Sequence, residues 1–300
     1  YNEINLATHM PYLVSGARLP EGMTKQEMFV HLNVNVQVAH ARAVEVIKRV
    51  DPQAQVGGMI GHAPFYPLTC KADDILAADF KNKMHNYFVY DTMCNGELPQ
   101  YFMQYAKNRN IELNMSQEEK DVIKDASKKL DYLAFSYYRS NVISSFEDIK
   151  DQNELEDALI FDQRSLKNPY YDANEWGWQI DADGLRYSLV DFYHRYHKPL
   201  FIVENGIGID ETMKDGKVYD DERIAYYQKH NGVDLMGYLA WSPIDFLSSH
   251  KEIRKRYGFV YVDRDFEDLK ELKRYPKKSF YWYKKVIESQ GKDLENDIDY

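Results

Sequence analysis

The stretch PLFIVENG, residues 199–206, decides the fold class of this chain. A β-prone apolar run at 200–203 leads to one carboxylate, Glu204, and then to the turn pair Asn205-Gly206. A buried strand that ends in a glutamate before a turn is where (β/α)-barrel enzymes carry catalytic groups. The same residues also fit an ordinary strand-to-turn junction, so this motif alone leaves both interpretations open.

A second glutamate, Glu3, lies in the run YNEIN at residues 1–5. Two carboxylates from different strand ends are what the cleavage of a glycosidic bond requires. The pair therefore points to a glycosidase more strongly than either segment does by itself.

Composition limits the class of protein. The chain has 300 residues, of which 44% are hydrophobic, and no low-complexity linker divides it, so we predict a single domain over residues 1–300. A net charge of −10 argues against a nucleic-acid partner. The two cysteines, Cys70 and Cys94, form no disulfide framework or metal-ligand spacing. No membrane-spanning run or signal peptide is evident, which predicts a soluble cytoplasmic protein.

Apolar periodicity alternates between helix and strand along the chain. It predicts helices at 25–50, 73–90, 184–197, 220–230 and 274–289 and one opening at Ser116, strands at 55–61, 131–136, 200–204 and 234–241, and a hairpin arm at 257–262. Strands separated by helices indicate parallel βα units. Four strands and a stub at Tyr1 cannot close an eight-stranded barrel, so we expect the later part of a longer one.

Together these segments resemble glycoside hydrolase family 1. YNE at 1–3 resembles the Asn-Glu motif after the family's fourth barrel strand, and IVENG at 202–206 resembles the nucleophile motif after its seventh. GYLAWS at 237–242 resembles the sugar-contacting eighth strand, and RYGFVYVD at 256–263 and PKKS at 276–279 resemble the segments that follow. The resemblance implies an α/β fold, a (β/α)8 TIM barrel, of which this chain holds the part from the end of strand 4 to the C-terminus.

The family resemblance also implies chemistry. Such enzymes are retaining β-glycosidases, in which Glu204 would be the nucleophile and Glu3 the acid/base, with the carboxyls about 5 Å apart. Asn2 would bind the sugar 2-hydroxyl, and Tyr138 would hydrogen-bond Glu204. Tyr138 as a core residue with a satisfied hydroxyl is the alternative.

Two tryptophans are assigned substrate-binding roles by the same resemblance. Trp241 would form a wall of the glycone site, and Trp178 would line the aglycone entrance, since a flat indole packs on pyranose C–H groups. Trp176 is interpreted as structural.

The stretch WSPIDFLSSHKEIRKRY, residues 241–257, bears on the substrate. Plain β-glucosidases of the family carry a glutamate where this chain has Ser248. Ser248, Lys255 and Tyr257 match the phosphate-binding trio of the 6-phospho-β-glycosidase branch, and a phosphate dianion needs donors and a fixed cation. The basic run from Lys251 to Arg256 also fits a solvated charged face. Ser249, where galactoside-selective members carry tryptophan, favours glucosides.

The sequence thus predicts a cytoplasmic 6-phospho-β-glucosidase whose partner is a phosphorylated β-glucoside, with no nucleic acid and no membrane. It implies no metal or organic cofactor and leaves the oligomeric state open, a homo-oligomer included. Two alternatives remain, an unphosphorylated β-glucosidase and a non-catalytic carbohydrate-binding pseudoenzyme.

The sequence departs from the family pattern in two places. The family's first three strands and most of its fourth, with a Gln, a His and an Arg beside the nucleophile, have no counterpart here. The helix at 220–230 is shorter than in relatives. If these 300 residues are the whole molecule, we expect it to be unstable or inactive alone.

Overall fold

The computed structural model describes residues 2–8, 10–162, 166–229, 235–249, 251–266 and 268–300. The central element is a four-stranded parallel sheet in the order β1-β3-β5-β6. Its strands are β1 Gly57–His62, β3 Tyr132–Tyr137, β5 Leu200–Asn205 and β6 Gly237–Ala240. All four predicted strands and their parallel pairing are therefore confirmed. Of the strand predicted at 234–241, residue 234 lies outside the described residues.

Two short ribbons flank the sheet. The strands β2 Phe65–Pro67 and β4 Asn141–Ile143 pair in parallel, and β7 Val260–Val262 pairs antiparallel with β8 Arg274–Pro276. The second ribbon confirms the predicted hairpin arm. It also corrects the helix predicted at 274–289, because residues 274–276 are a strand and the helix begins at Lys278.

Helices connect the strands and cover the sheet. They are α1 Pro11–Ser15, α2 Lys25–Val50, α3 Ala72–Asn82, α4 Phe88–Asn95, α5 Gln100–Asn108, α6 Gln117–Ser127, α7 Gln152–Phe161, α8 Ala182–Tyr196, α9 Asp221–Gln228 and α10 Lys278–Glu288, with a 3-10 turn at Ile4–Thr8. The stub predicted at Tyr1 is not seen as a strand, since Tyr1 lies outside the described residues and this 3-10 turn follows Glu3.

Local capping explains where two helices begin. Thr24 and Glu27 form a reciprocal capping box before α2, and Ser116 and Glu119 do the same before α6. The α2 helix matches its predicted bounds and ends at Val50, with Asp51 as its C-cap directly before a proline.

The helix predicted at 73–90 is instead three consecutive segments. A π-helical turn at Lys83–Tyr87 separates α3 from α4, and the amide of Phe88 bonds the carbonyl of Lys83. Such turns shift the helix register by one residue. The sequence predicted one continuous helix here and did not reveal the turn.

The main hydrophobic core lies between the sheet and the helices on its face. Phe192 of α8 is fully buried against Phe135 of β3 and Tyr90 of α4, with ring centroids 5.3 Å apart in both pairs. Edge-to-face packing of this kind fixes the helices against the strands. Within the described ranges, no helix combines the length and the apolar character that crossing a membrane requires.

Candidate active site

Glu204 is presented at the carboxyl end of β5. The pairing register between β3 and β5 shifts there, so that Phe135 faces Ile202 whereas Ser136 faces Glu204. An extra residue of this kind re-aims the side chains that follow it. The bulge leaves Glu204 half-buried and beside Ser136.

Tyr138 contacts Glu204, as the sequence analysis expected. Its hydroxyl donates to Oε2 of Glu204 at 2.9 Å. Burial raises the pKa of Glu204 to about 7, the hydrogen bond from Tyr138 opposes that rise, and the negative charge of Glu3 adds to it. The two carboxyls are thus close enough to influence each other.

Glu3 is held against the ends of β1 and β3. Ser136 donates its hydroxyl proton to Oε1 of Glu3, and the backbone amide of Glu3 lies 3.1 Å from the sulfur of Met59. The backbone of Glu3 has φ of +46°, a left-handed conformation that is uncommon for a residue with a side chain. Gly61 packs directly under its carboxyl, because an added Cβ there would lie 3.1 Å from Oε1.

Asn5 fixes this segment to β1. Its side-chain amide donates to the carbonyl of Gly61 at 2.8 Å and accepts from the amide of Gly61 at 2.8 Å, and it also donates to the carbonyl of His85 at 2.9 Å. A side chain here makes both hydrogen bonds that a neighbouring strand would make. Glu3 is therefore positioned two residues from a rigid anchor.

Two positioning residues were missed by sequence reasoning. Ser136 bridges the site, since it faces Glu204 across the sheet and bonds Glu3. Asn205 is fully buried, donates to the Tyr137 carbonyl at 2.6 Å and the Tyr226 hydroxyl at 3.0 Å, and accepts from Tyr238. For Ser136, a polar residue within an apolar run was the available signal, whereas Asn205 was interpreted as part of a turn and is instead the last residue of β5.

Aromatic rings surround Tyr138. The ring centroids of Tyr257, Trp178 and Trp241 lie 5.8, 6.1 and 6.5 Å from that of Tyr138. The structure therefore brings both tryptophans assigned to the substrate and one of the three phosphate candidates to the same place as Glu204.

Lys255 is the most unusual charged group in this cluster. It is fully buried, and its ammonium nitrogen has no hydrogen-bond partner among the described residues. The nitrogen lies 3.3 Å from the centre of the Trp178 ring and 5.5 Å from that of Trp176. Burial and the positive charge of Arg139 lower the pKa of Lys255 to about 8. A buried cation without a counter-ion suits an anionic ligand.

The side chains of Tyr257 and Lys255 pack side by side on Gly208. A Cβ added to Gly208 would lie 2.7 Å from Cγ of Lys255 and 2.9 Å from Cζ of Tyr257, so both side chains rest on this glycine. Ser248 is buried in a turn, where its hydroxyl accepts from the amide of Glu252 at 3.2 Å. Among the described residues, no hydrogen bond joins Ser248 to Lys255 or Tyr257.

The remaining candidates are less well placed. Asn2 is exposed, and no hydrogen bond connects it to either glutamate within the described ranges. The basic run near Lys255 is not one charged face, because Arg254 is exposed and paired with Glu252, whereas Arg256 is buried and bonds Asp245 at 3.1 Å. No group of three or more potential metal ligands occurs among the residues described.

A buried ionic network supports the loops behind the site. Lys277 is paired with Glu211 and lies 3.0 Å from Asp245, and Arg223 is paired with Glu211 and lies 3.0 Å from Asp220. Arg223 also donates to the carbonyls of Ile207 and Tyr257 at 2.8 and 3.0 Å. The network thereby ties the loop after β5 to the backbone of Tyr257.

The family model for glycosyl hydrolase family 1 matches residues 1–292. The chain belongs to this family. It is 40% identical to a 6-phospho-beta-glucosidase of Dickeya chrysanthemi and 39% identical to an aryl-phospho-beta-D-glucosidase of Bacillus subtilis, in each case over 98% of this chain and 63% of the relative. A Thermotoga maritima family 1 glycoside hydrolase, solved with a cyclophellitol analogue that mimics the transition state, superposes with a TM-score of 0.77 at 25% identity, over 98% of this chain and 63% of that one.

Membership of glycosyl hydrolase family 1 settles the fold class. The parallel sheet and its helices are part of a (β/α)8 barrel, as predicted, with β5 and β6 as the strands that resemble the family's seventh and eighth. The chain spans 63% of the length of the curated relatives it matches.

Proposed function

We propose that the protein is a retaining 6-phospho-β-glucosidase that acts in the cytoplasm on 6-phosphorylated β-glucosides. The observation that carries this proposal is that the ammonium of Lys255, in the aromatic cluster around Tyr138 and Glu204, is buried and has no hydrogen-bond partner in the part of the chain that the structure describes. The names of the relatives at 39–40% identity support the same substrate class.

In the proposed reaction, Glu204 attacks the anomeric carbon while Glu3 gives its proton to the departing glycosidic oxygen. The bond to the aglycone breaks, and an ester forms between glucose 6-phosphate and Glu204. Glu3 then takes a proton from water, which attacks the same carbon and releases Glu204. Asn2 is proposed to contact the 2-hydroxyl, and Trp241 and Trp178 to enclose the sugar and aglycone.

Lys255, Tyr257 and Ser248 are proposed to hold the 6-phosphate. Lys255 supplies the cation, and the two hydroxyls supply donors. A glutamate at position 248 would instead repel the dianion, which is why Ser248 favours a phosphorylated over a plain glucoside.

The test is kcat/KM of the complete enzyme on an aryl β-glucoside with and without a 6-phosphate. We expect a strong preference for the phosphorylated substrate, which Lys255→Ala removes and Ser248→Glu shifts towards the plain glucoside. Arg254→Ala, an exposed and paired neighbour, is the control and should change neither rate. Equal use of both substrates would favour a plain β-glucosidase, and turnover of neither would favour the carbohydrate-binding alternative.

A further inference from the structure

Arg139, which no family motif in this sequence includes, lies beside the proposed phosphate site. It directly follows Tyr138 and is half-buried. Its guanidinium carbon is 4.9 Å from the centre of the Trp178 ring, the same ring that Lys255 covers at 3.3 Å. The two distances share the ring centre, so at most 8.2 Å, their sum, separates the two positive groups.

Two cations at this separation repel each other, and burial strengthens the repulsion because less water screens it. Neither Arg139 nor Lys255 has a carboxylate partner among the described residues. Two other buried cations, Lys277 and Arg223, do have carboxylate partners. Tyr257, whose ring centre lies 5.9 Å from the Lys255 nitrogen, supplies only a ring and a hydroxyl.

Resting on the proposed function, we propose that Arg139 is a second cation of the phosphate site and binds the 6-phosphate together with Lys255. A phosphate that makes hydrogen bonds of about 2.8 Å to groups on either side can bridge cations at this distance. The forked guanidinium suits two phosphate oxygens at once, which a lysine cannot match. The ring of Trp178 would then orient both cations, in addition to any contact with the aglycone.

The experiment is calorimetric titration of the full chain with glucose 6-phosphate and, separately, with glucose. Arg139→Gln is expected to weaken glucose 6-phosphate roughly 10- to 100-fold, the usual range for a hydrogen bond to a charged group, and to leave glucose unchanged. Arg139→Lys keeps the positive charge but not the forked guanidinium, so it should weaken glucose 6-phosphate binding less than Arg139→Gln does. Arg254→Gln removes a nearby exposed, paired arginine and should have no effect.

The outcomes separate this inference from the function beneath it. If Lys255→Gln weakens glucose 6-phosphate while Arg139→Gln does not, the phosphate site stands and the role of Arg139 is overturned. If the wild-type chain binds glucose 6-phosphate no better than glucose, the phosphate site and the proposed function both fall. An equal loss for both ligands with Arg139→Gln would mark a structural role and also overturn the inference.

Discussion

Tyr138, directly after β3, donates a hydrogen bond of 2.9 Å to the half-buried carboxyl of Glu204 in the neighbouring strand β5. This contact stabilises the ionised form of Glu204, whereas burial and the charge of Glu3 favour the protonated form. The balance places the pKa of Glu204 near 7, so its ionisation is sensitive to every neighbour.

The pH profile of the enzyme should report this carboxyl. A nucleophile acts only when ionised, so kcat/KM should rise with pH on an acidic limb centred near 7. Tyr138→Phe removes the donor and should move that limb upward by about one pH unit. Tyr170→Phe, at a tyrosine that is 87% exposed, is the control. If the acidic limb of Tyr138→Phe coincides with that of the wild type, a group other than Glu204 titrates there.

Stability should also depend on pH through Glu204. Its folded pKa of about 7 exceeds the usual 4.5, so the folded state binds more protons between these values and stability falls as pH rises through them. Glu204→Gln should therefore stabilise the chain at pH 8 by about 1–2 kcal/mol, less than the full pKa shift because the carboxyl is partly solvated. Urea unfolding at pH 5 and pH 8 tests this. A loss of stability at pH 8 would contradict it.

The buried ionic network offers a matched pair of lysines. Lys277→Met leaves Glu211 and Asp245 without a shared cation and should destabilise the protein by about 3–5 kcal/mol. Lys278→Met breaks a 2.6 Å pair with the exposed Asp221 and should cost about 0–1 kcal/mol. Equal midpoints of thermal unfolding for the two variants would mean that the network contributes little.

Gly208 lies where the side chains of Lys255 and Tyr257 meet. Gly208→Ala puts a methyl group 2.7 Å from Cγ of Lys255, so the lysine must move. We expect roughly a tenfold loss of kcat/KM on the 6-phosphorylated aryl glucoside and a smaller loss on the plain glucoside. Competition between the two substrates in one assay measures the ratio. A ratio equal to that of the wild type would show that this contact does not set the phosphate preference.

Features set by neighbouring residues were predictable from the sequence. The capping-box residues Ser116 and Glu119 marked the start of α6, and the apolar run at 200–203 marked β5 and the position of Glu204 near its end. Strands that alternate with helices predicted parallel βα units, and the family resemblance implied the barrel class.

Features that depend on distant contacts were not predictable. The contact of the Lys255 ammonium with the Trp178 ring joins residues from two loops. The distance between these two groups depends on how the loops pack. The bulge beside Ser136 and the network of Asn205 arise from strand register, which periodicity does not report. Helix 274–289 was predicted too long because its first residues pair with β7.

The π-helical turn at Lys83–Tyr87 affects a residue far from it in sequence. It supplies the His85 carbonyl that Asn5 needs, and Asn5 lies two residues from Glu3. Deleting one residue there would restore an ordinary α-helix and turn that carbonyl away. Glu3, the proton donor of the proposed reaction, is thus positioned in part by a π-helical turn some eighty residues further along the chain. A variant in which this turn is replaced by regular α-helix would therefore displace Glu3 and lower activity, although neither glutamate is changed.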